Sequence, residues 1–244
     1  PGATNAAHGI HVARQDSTPL IMFVGQIETG MREREAFQEL DYRAAFGGIA
    51  KWATEIDDPA RIPEIVSRAF HVATSGRPGP VVIALPEDML VAEAAVADAP
   101  PFRPIETHPG LTQMAELQKR FWAAERPIVL AGGSRWSEAA VERLIRFSER
   151  FDVPVATTFR RQMLFPATHP NYAGDAGLGM TPALSQSIKD SDLVLLLGGR
   201  LSEASSQGYT LLPIPGDGKR LVHVHPDPSE LNRVYATSLP INAS

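Results

Sequence analysis

Pro127-Ile128-Val129-Leu130-Ala131-Gly132-Gly133-Ser134 is an apolar run closed by two glycines, and Ser137–Phe151 follows with Val141, Leu144, Ile145, Ser148 and Phe151 along one stripe. A short run without polar alternation suits a parallel strand covered on both faces, and the stripe has the spacing of an amphipathic helix. Ser137 supplies an N-cap, with Glu138 near the positive helix end. Outward from this pair the pattern repeats: helix Leu111–Ala124 before it, then strand Val153–Ala156, helix Pro182–Lys189, strand Asp192–Leu197 and strand Arg220–His225. Short apolar strands alternating with helices need crossover connections, so residues 111–244 are expected to form a doubly wound, Rossmann-like parallel sheet.

The first half reads as a smaller α/β unit. Leu20-Ile21-Met22-Phe23-Val24 and Pro80-Val81-Val82-Ile83-Ala84-Leu85 are buried strands stopped by Gly25 and Pro86, and Ala6–Gln15 is a short helix. Ile62, Ile65, Val66, Ala69 and Phe70 recur at helical spacing up to Gly76, a C-terminal cap, with Pro63 in the first turn. Between Glu93 and Gly110, Ala99-Pro100-Pro101-Phe102-Arg103-Pro104 and His108-Pro109-Gly110 favour extended backbone with little apolar periodicity. Residues 1–92 and 111–244 are therefore read as two domains joined by a linker at 93–110.

Composition narrows the function. The chain has 244 residues, 43% of them apolar, a net charge of −5 and no cysteine. Scattered Lys and Arg on an acidic chain argue against a nucleic-acid partner. Without cysteine there are no disulfides, thiolate nucleophiles or cysteine metal sites, which fits a reducing compartment, the cytoplasm by default. Apolar runs such as Pro19–Val24 and Leu193–Leu197 are far short of a membrane span.

Specific words then accumulate. Pro1-Gly2-Ala3-Thr4-Asn5, Asp16-Ser17-Thr18-Pro19-Leu20, Gly25-Gln26, Ala36-Phe37-Gln38-Glu39, Gly76-Arg77-Pro78-Gly79-Pro80-Val81 and Leu85-Pro86-Glu87-Asp88 resemble, in order and spacing, the thiamine-diphosphate enzymes of the acetolactate synthase type. Pro127–Gly133, Pro154-Val155-Ala156-Thr157-Thr158, Phe165-Pro166, His169-Pro170 and Tyr172-Ala173-Gly174 are similar to that family's central domain. The resemblance implies the latter part of a pyrimidine-binding domain at 1–92 and a central domain at 111–244. It also implies thiamine diphosphate and Mg2+ in the parent enzyme, a 2-keto acid substrate and a homo-oligomer. It places the glutamate that activates the aminopyrimidine before Pro1 and the metal-diphosphate domain beyond Ser244, so this stretch is expected to be inactive alone and to hold no cofactor tightly.

Carried across residue by residue, the resemblance places Pro1, Gly2 and Asn5 on a loop beside the thiamine pyrimidine, and Gln26, Phe37 and Gln38 on the substrate side. An amide can donate to a keto-acid carboxylate or a developing alkoxide, and Phe37 can exclude water. Gln26 and Gln38 can equally serve only to tie down loops. Glu28, Glu39 and Asp41 read as solvated or structural carboxylates. Gly132, Gly133, Gly199 and Arg200 end two strands where family members hold FAD, although close packing alone would call for the glycines; FAD is one possibility here, and a noncatalytic adenine-nucleotide (FAD or ADP) module or a dimerisation fragment is the alternative. Leu201-Ser202-Glu203-Ala204 stands where the family pattern has Phe-Asp-Asp-Arg. Gly216-Asp217-Gly218 imitates a diphosphate motif but reads as a solvent turn, because Pro213-Ile214-Pro215 precede it. His223-Val224-His225 reads as a packed strand, and no metal ligands are assigned.

Overall fold

The computed structural model describes residues 1–216 and 220–244, so Asp217 and Gly218 of the imitation motif lie outside the described residues. It divides into two compact units, Pro1–Ile105 and Glu106–Ser244. Among the described residues, no helix is long and apolar enough to cross a membrane.

In the first unit, β1 (Leu20–Gln26), β2 (Trp52–Glu55) and β3 (Pro80–Pro86) form a parallel sheet in the order β1-β3-β2. The central strand is buried on both faces because successive side chains alternate. Val81 and Ile83 pack with Ile65, Ala69 and Ala73 of α3 (Ile62–Thr74). Val82 and Ala84 pack with Ile10 of α1 (Gly2–Asp16) and with Tyr42 and Phe46 of α2 (Tyr42–Gly47). Helix α3 ends at Thr74 and its C-cap is Ser75, in extended conformation, rather than Gly76, which takes φ 52 one residue later. A short helix, α4 (Glu87–Val91), follows β3 directly.

Two expectations need correcting here. The first is that α1 starts at Gly2, so Pro1, Gly2 and Asn5 sit at the entrance and first turn of a helix rather than on a loop. Gly2 and the small, weakly apolar residues after it hide the period in sequence. The second is that Trp52–Glu55, unassigned from pattern, is an edge strand whose four positions are all half-buried, so it lacks both an apolar run and alternation.

In the second unit, β4 (Pro127–Ala131), β5 (Val155–Thr158), β6 (Tyr172–Ala176), β7 (Leu193–Leu197), β8 (Leu221–His225) and β9 (Leu239–Asn242) are all parallel, in the order β6-β5-β4-β7-β8-β9. Counted within the unit this is 3-2-1-4-5-6, the doubly wound order, and it reverses between β4 and β7. Leu117 and Phe121 of α5 (Leu111–Ala123) and Leu144 and Ile145 of α6 (Glu138–Phe151) cover one face. Leu184 and Ile188 of α7 (Pro182–Asp190) cover the other. Ser137 caps α6, its Oγ accepting from Ala140 N at 3.2 Å.

Here too the boundaries move for physical reasons. β5 begins at Val155, not Val153, because Val153 N closes the end of α6 on Ser148 O at 3.1 Å and Pro154 has no amide hydrogen. Tyr172–Ala176, to which the sequence pattern assigns no element, is a strand: Gly174 at φ 122 and a register shift at Val155/Ala156 interrupt its regularity. β9 is an edge strand that carries Pro240.

Candidate active site

A cavity of about 770 Å3 opens at the C-terminal end of β1, where ligands of open parallel sheets bind. The first turns of α1 contribute Pro1, Gly2, Ala3 and Ala6, and β1 contributes Met22 through Gln26. The following loop adds Glu28, Met31, Ala36, Phe37 and Gln38, and Tyr42 and Glu87 close the rim. A side chain added at Gly2 or Gly25 would meet nothing within 4 Å, so the backbone is open to the cavity at both positions. Asn5 is not part of this lining; it sits on α1, its N–H donating to Pro1 O at 3.1 Å.

The loop is built as a rigid arm. Gln26, buried, donates from Nε2 to Leu40 O at 2.8 Å, and its Oε1 accepts from Ile27 N at 3.0 Å. The Glu39 carboxylate gathers Glu33 N at 2.6 Å and Ala36 N at 3.0 Å. These amides, Glu33 first, hold the Glu39 carboxyl below the usual carboxylate range. Arg32 pairs with Glu55 of β2, and Asp88 accepts from both the amide and the hydroxyl of Thr29. Held this way, the chain turns through left-handed conformations at Glu33, Glu35 and Gln38, with φ of 61, 55 and 70. Such conformations persist only where surrounding contacts enforce them. The product is Phe37 at the tip, 89% exposed, beside a Gln38 amide that makes no hydrogen bond among the described residues.

The two glutamines therefore separate. Gln26 spends its amide on the loop, whereas Gln38 lines the cavity without a side-chain hydrogen bond among the described residues. Met22, Phe23, Met31, Tyr42 and Glu87 also line the cavity and were not identified from sequence. The alternation along β1 could have pointed to Met22 and Val24; nothing in the pattern marks Met31 or Tyr42. Burial pushes the Tyr42 phenol up.

The glycines of the second unit occupy a different place. Gly132 N donates to Leu197 O at 2.9 Å across the reversal of strand order. A Cβ on Gly133, at φ 78, would lie 2.1 Å from Gly198 O, and one on Gly132 would lie 2.9 Å from Gly199 Cα. These loops touch backbone to backbone. Trp136 Nε1 donates to Gly132 O at 2.6 Å, and His223 Nε2 to Gly199 O at 2.8 Å. Arg200 lines a separate cavity of about 130 Å3 with His223, Glu230, Arg233 and Tyr235. Desolvation pushes His223 down to about 4, against 6.5 ordinarily. His225, also lowered by burial, accepts from Asp227 N at 3.0 Å. Among the described residues, no group of three acidic or imidazole side chains could hold a metal ion.

Comparison with known proteins places both halves. Residues 1–45 match the N-terminal TPP binding domain of thiamine pyrophosphate enzymes, and residues 114–244 match the central domain of the same enzymes. Over 99% of its length the chain is 34% identical to a probable acetolactate synthase large subunit of Methanocaldococcus jannaschii and 32% identical to the acetolactate synthase large subunit of Corynebacterium glutamicum. It is 29% identical to a glyoxylate carboligase of Escherichia coli O157:H7. It spans 42%, 39% and 41% of these three relatives, about two fifths of each. With its central-domain match covering more than half of the residues and the cavity-forming segment matching the TPP binding domain, the chain belongs to the thiamine pyrophosphate enzyme family.

Proposed function

We propose that this chain supplies the pyrimidine-side wall and the central domain of a thiamine-diphosphate-dependent carboligase or decarboxylase acting on 2-keto acids. The supporting observation is the cavity at the end of β1, framed by Gly2, Gly25 and the Phe37–Gln38 tip, within the segment related to TPP binding domains. In this reading residues 1–92 are the latter part of the pyrimidine-binding domain, 93–110 a linker and 111–244 the central domain.

Thiamine diphosphate, when bound, supplies the carbon nucleophile and electron sink for breaking or making a bond at a carbonyl carbon. The residues present fit its ring: the space over Gly2 and Gly25 is open, and Val24 and Ile27 offer apolar surface. Phe37 and Met31 exclude water from the reacting carbon, the Gln38 amide donates to the substrate oxygen, and Gln26 and Glu39 hold that amide in place. Diphosphate and Mg2+ are assigned to residues outside this stretch, met through assembly with another copy of the enzyme. A cytoplasmic enzyme is in keeping with the cysteine-free composition.

The test is to mix the 244-residue chain with pyruvate, thiamine diphosphate and magnesium and to measure carbon dioxide. No release above the protein-free control is expected, and robust turnover would overturn the assignment of the missing groups. A second reading, an adenine nucleotide or FAD held near Gly132, Gly133, Gly199 and Arg200, draws support from the reversal of strand order between β4 and β7. Calorimetry with FAD, ADP and NAD addresses it: submillimolar binding would favour that module.

A further inference from the structure

Among the described residues, the polar side chains that line the large cavity are Gln26, Glu28, Gln38, Tyr42 and Glu87. Glu28, Gln38 and Glu87 are exposed, so water competes for whatever they hold. Gln26 is buried, and its amide is already engaged with Leu40 O and Ile27 N. Tyr42 differs from all of these. It is 7% exposed, its ring stacks on Phe46 with centroids 6.2 Å apart, and its hydroxyl makes no hydrogen bond among the described residues. Buried hydroxyls are nearly always bonded, so one left open beside a cavity marks a place for an outside partner. Burial also pushes the phenol up, which keeps it a neutral O–H donor at neutral pH.

Tyr42 is shared with a second cavity of about 430 Å3, which Arg32, Glu39 and Glu55 also line. Its surroundings favour the first. Within its apolar cluster, Ala3, Met22 and Val24 line the large cavity, whereas Leu40 lines the second. Ala3 belongs to α1 and Met22 and Val24 to β1, the elements beside which the cofactor ring is placed. Phe37 and Met31, which cover the reacting carbon, belong to the loop beyond β1. We propose that Tyr42 is a further cofactor-binding residue, its hydroxyl donating a hydrogen bond to a ring nitrogen of the thiamine pyrimidine. Such a nitrogen has a lone pair in the ring plane and accepts from a neutral donor. One directional bond, added to the apolar contacts of Met22 and Val24, fixes how the ring is turned in the cavity. This rests on the reading that the cavity is the thiamine site, and adds a residue to it.

The experiment is an amide-resolved NMR titration of the 244-residue chain and of Tyr42→Phe, which keeps the buried ring and its stacking and removes only the hydroxyl. The probes are thiamine, the two aminopyridine analogues in which CH replaces one ring nitrogen, and pyruvate, all read at Gly2, Val24 and Gly25. Thiamine is expected to bind the variant about fivefold more weakly than the parent, the size of one neutral hydrogen bond. One of the two analogues is expected to bind parent and variant alike, having lost the nitrogen that Tyr42 serves. Equal affinity of thiamine for parent and variant overturns the proposal, as does a fivefold loss for both analogues in the variant, or a loss confined to pyruvate. Should Tyr42→Phe fail to fold, the parent alone decides, because equal affinity there for thiamine and both analogues overturns the proposal. The two readings fail separately. Thiamine that moves Gly2 and Gly25 equally in parent and variant refutes the Tyr42 bond alone; thiamine that moves neither in the parent refutes the cofactor reading, and the bond with it.

Discussion

Acid should loosen the second unit through one side chain. His223 is 5% exposed on β8, its Nε2–H donating to Gly199 O, and desolvation holds it near 4 in the folded chain. In the unfolded chain it titrates at its ordinary 6.5. Between those values the unfolded state binds a proton that the folded state does not, so stability is intact above pH 6.5 and falls as the pH drops toward 4. At about 1.4 kcal/mol per pH unit, the full loss is about 3 kcal/mol, of which about 1 kcal/mol is gone by pH 5.5 and 2–3 kcal/mol by pH 4.5. His225, 5.7 Å away ring to ring, contributes in the same direction and must be cancelled. The comparison is therefore with His223→Gln, whose amide can still donate to Gly199 O but does not titrate. Urea unfolding at pH 7, 5.5 and 4.5, read through Trp136 beside Gly132, should show the parent losing about 2–3 kcal/mol more than the variant over that range. Parallel stability curves for parent and variant would refute the reasoning.

Three further outcomes follow from packing. Gly133→Ala should destabilise the second unit by about 2–4 kcal/mol, because its Cβ meets Gly198 backbone at a left-handed φ; an unchanged urea midpoint would contradict this. Arg77→Ala should cost the first unit about 2–3 kcal/mol by releasing the end of α1, where Arg77 Nη2 donates to Arg14 O at 2.6 Å and Nε to Ser17 Oγ at 3.0 Å; thermal unfolding followed by Trp52 checks it. Glu39→Gln should speed hydrogen exchange at the Glu33 and Ala36 amides severalfold while leaving α3 amides unchanged, and in the parent the protection of those two amides, relative to their intrinsic exchange rates at each pH, should fall as acid protonates Glu39.

Much of the architecture is legible because its strands are fully buried. Pro127–Ala131, Leu193–Leu197 and Pro80–Pro86 stand out as unbroken apolar runs for the same reason that they are central in their sheets. The strands that escape notice, Trp52–Glu55, Tyr172–Ala176 and Leu239–Asn242, lie at sheet edges, where half-exposure, a left-handed glycine or a proline dilutes the signal. At the candidate site, Pro1, Gly2, Gln26, Phe37 and Gln38 came from words in the sequence and line the cavity together, whereas Asn5 does not. What those words could not give was the division of labour between Gln26 and Gln38. It depends on Leu40 O lying within hydrogen-bond reach of Gln26, and local sequence does not encode that distance.

The most direct test of the central claim is an amide-resolved NMR titration of the chain with thiamine diphosphate in the absence of metal. Perturbations at Gly2–Ala6, Met22–Gln26 and Phe37–Gln38, with the amides of residues 106–244 unmoved, are the predicted result. Changes confined to Gly132, Gly133 and Gly199, or no change anywhere, would contradict it.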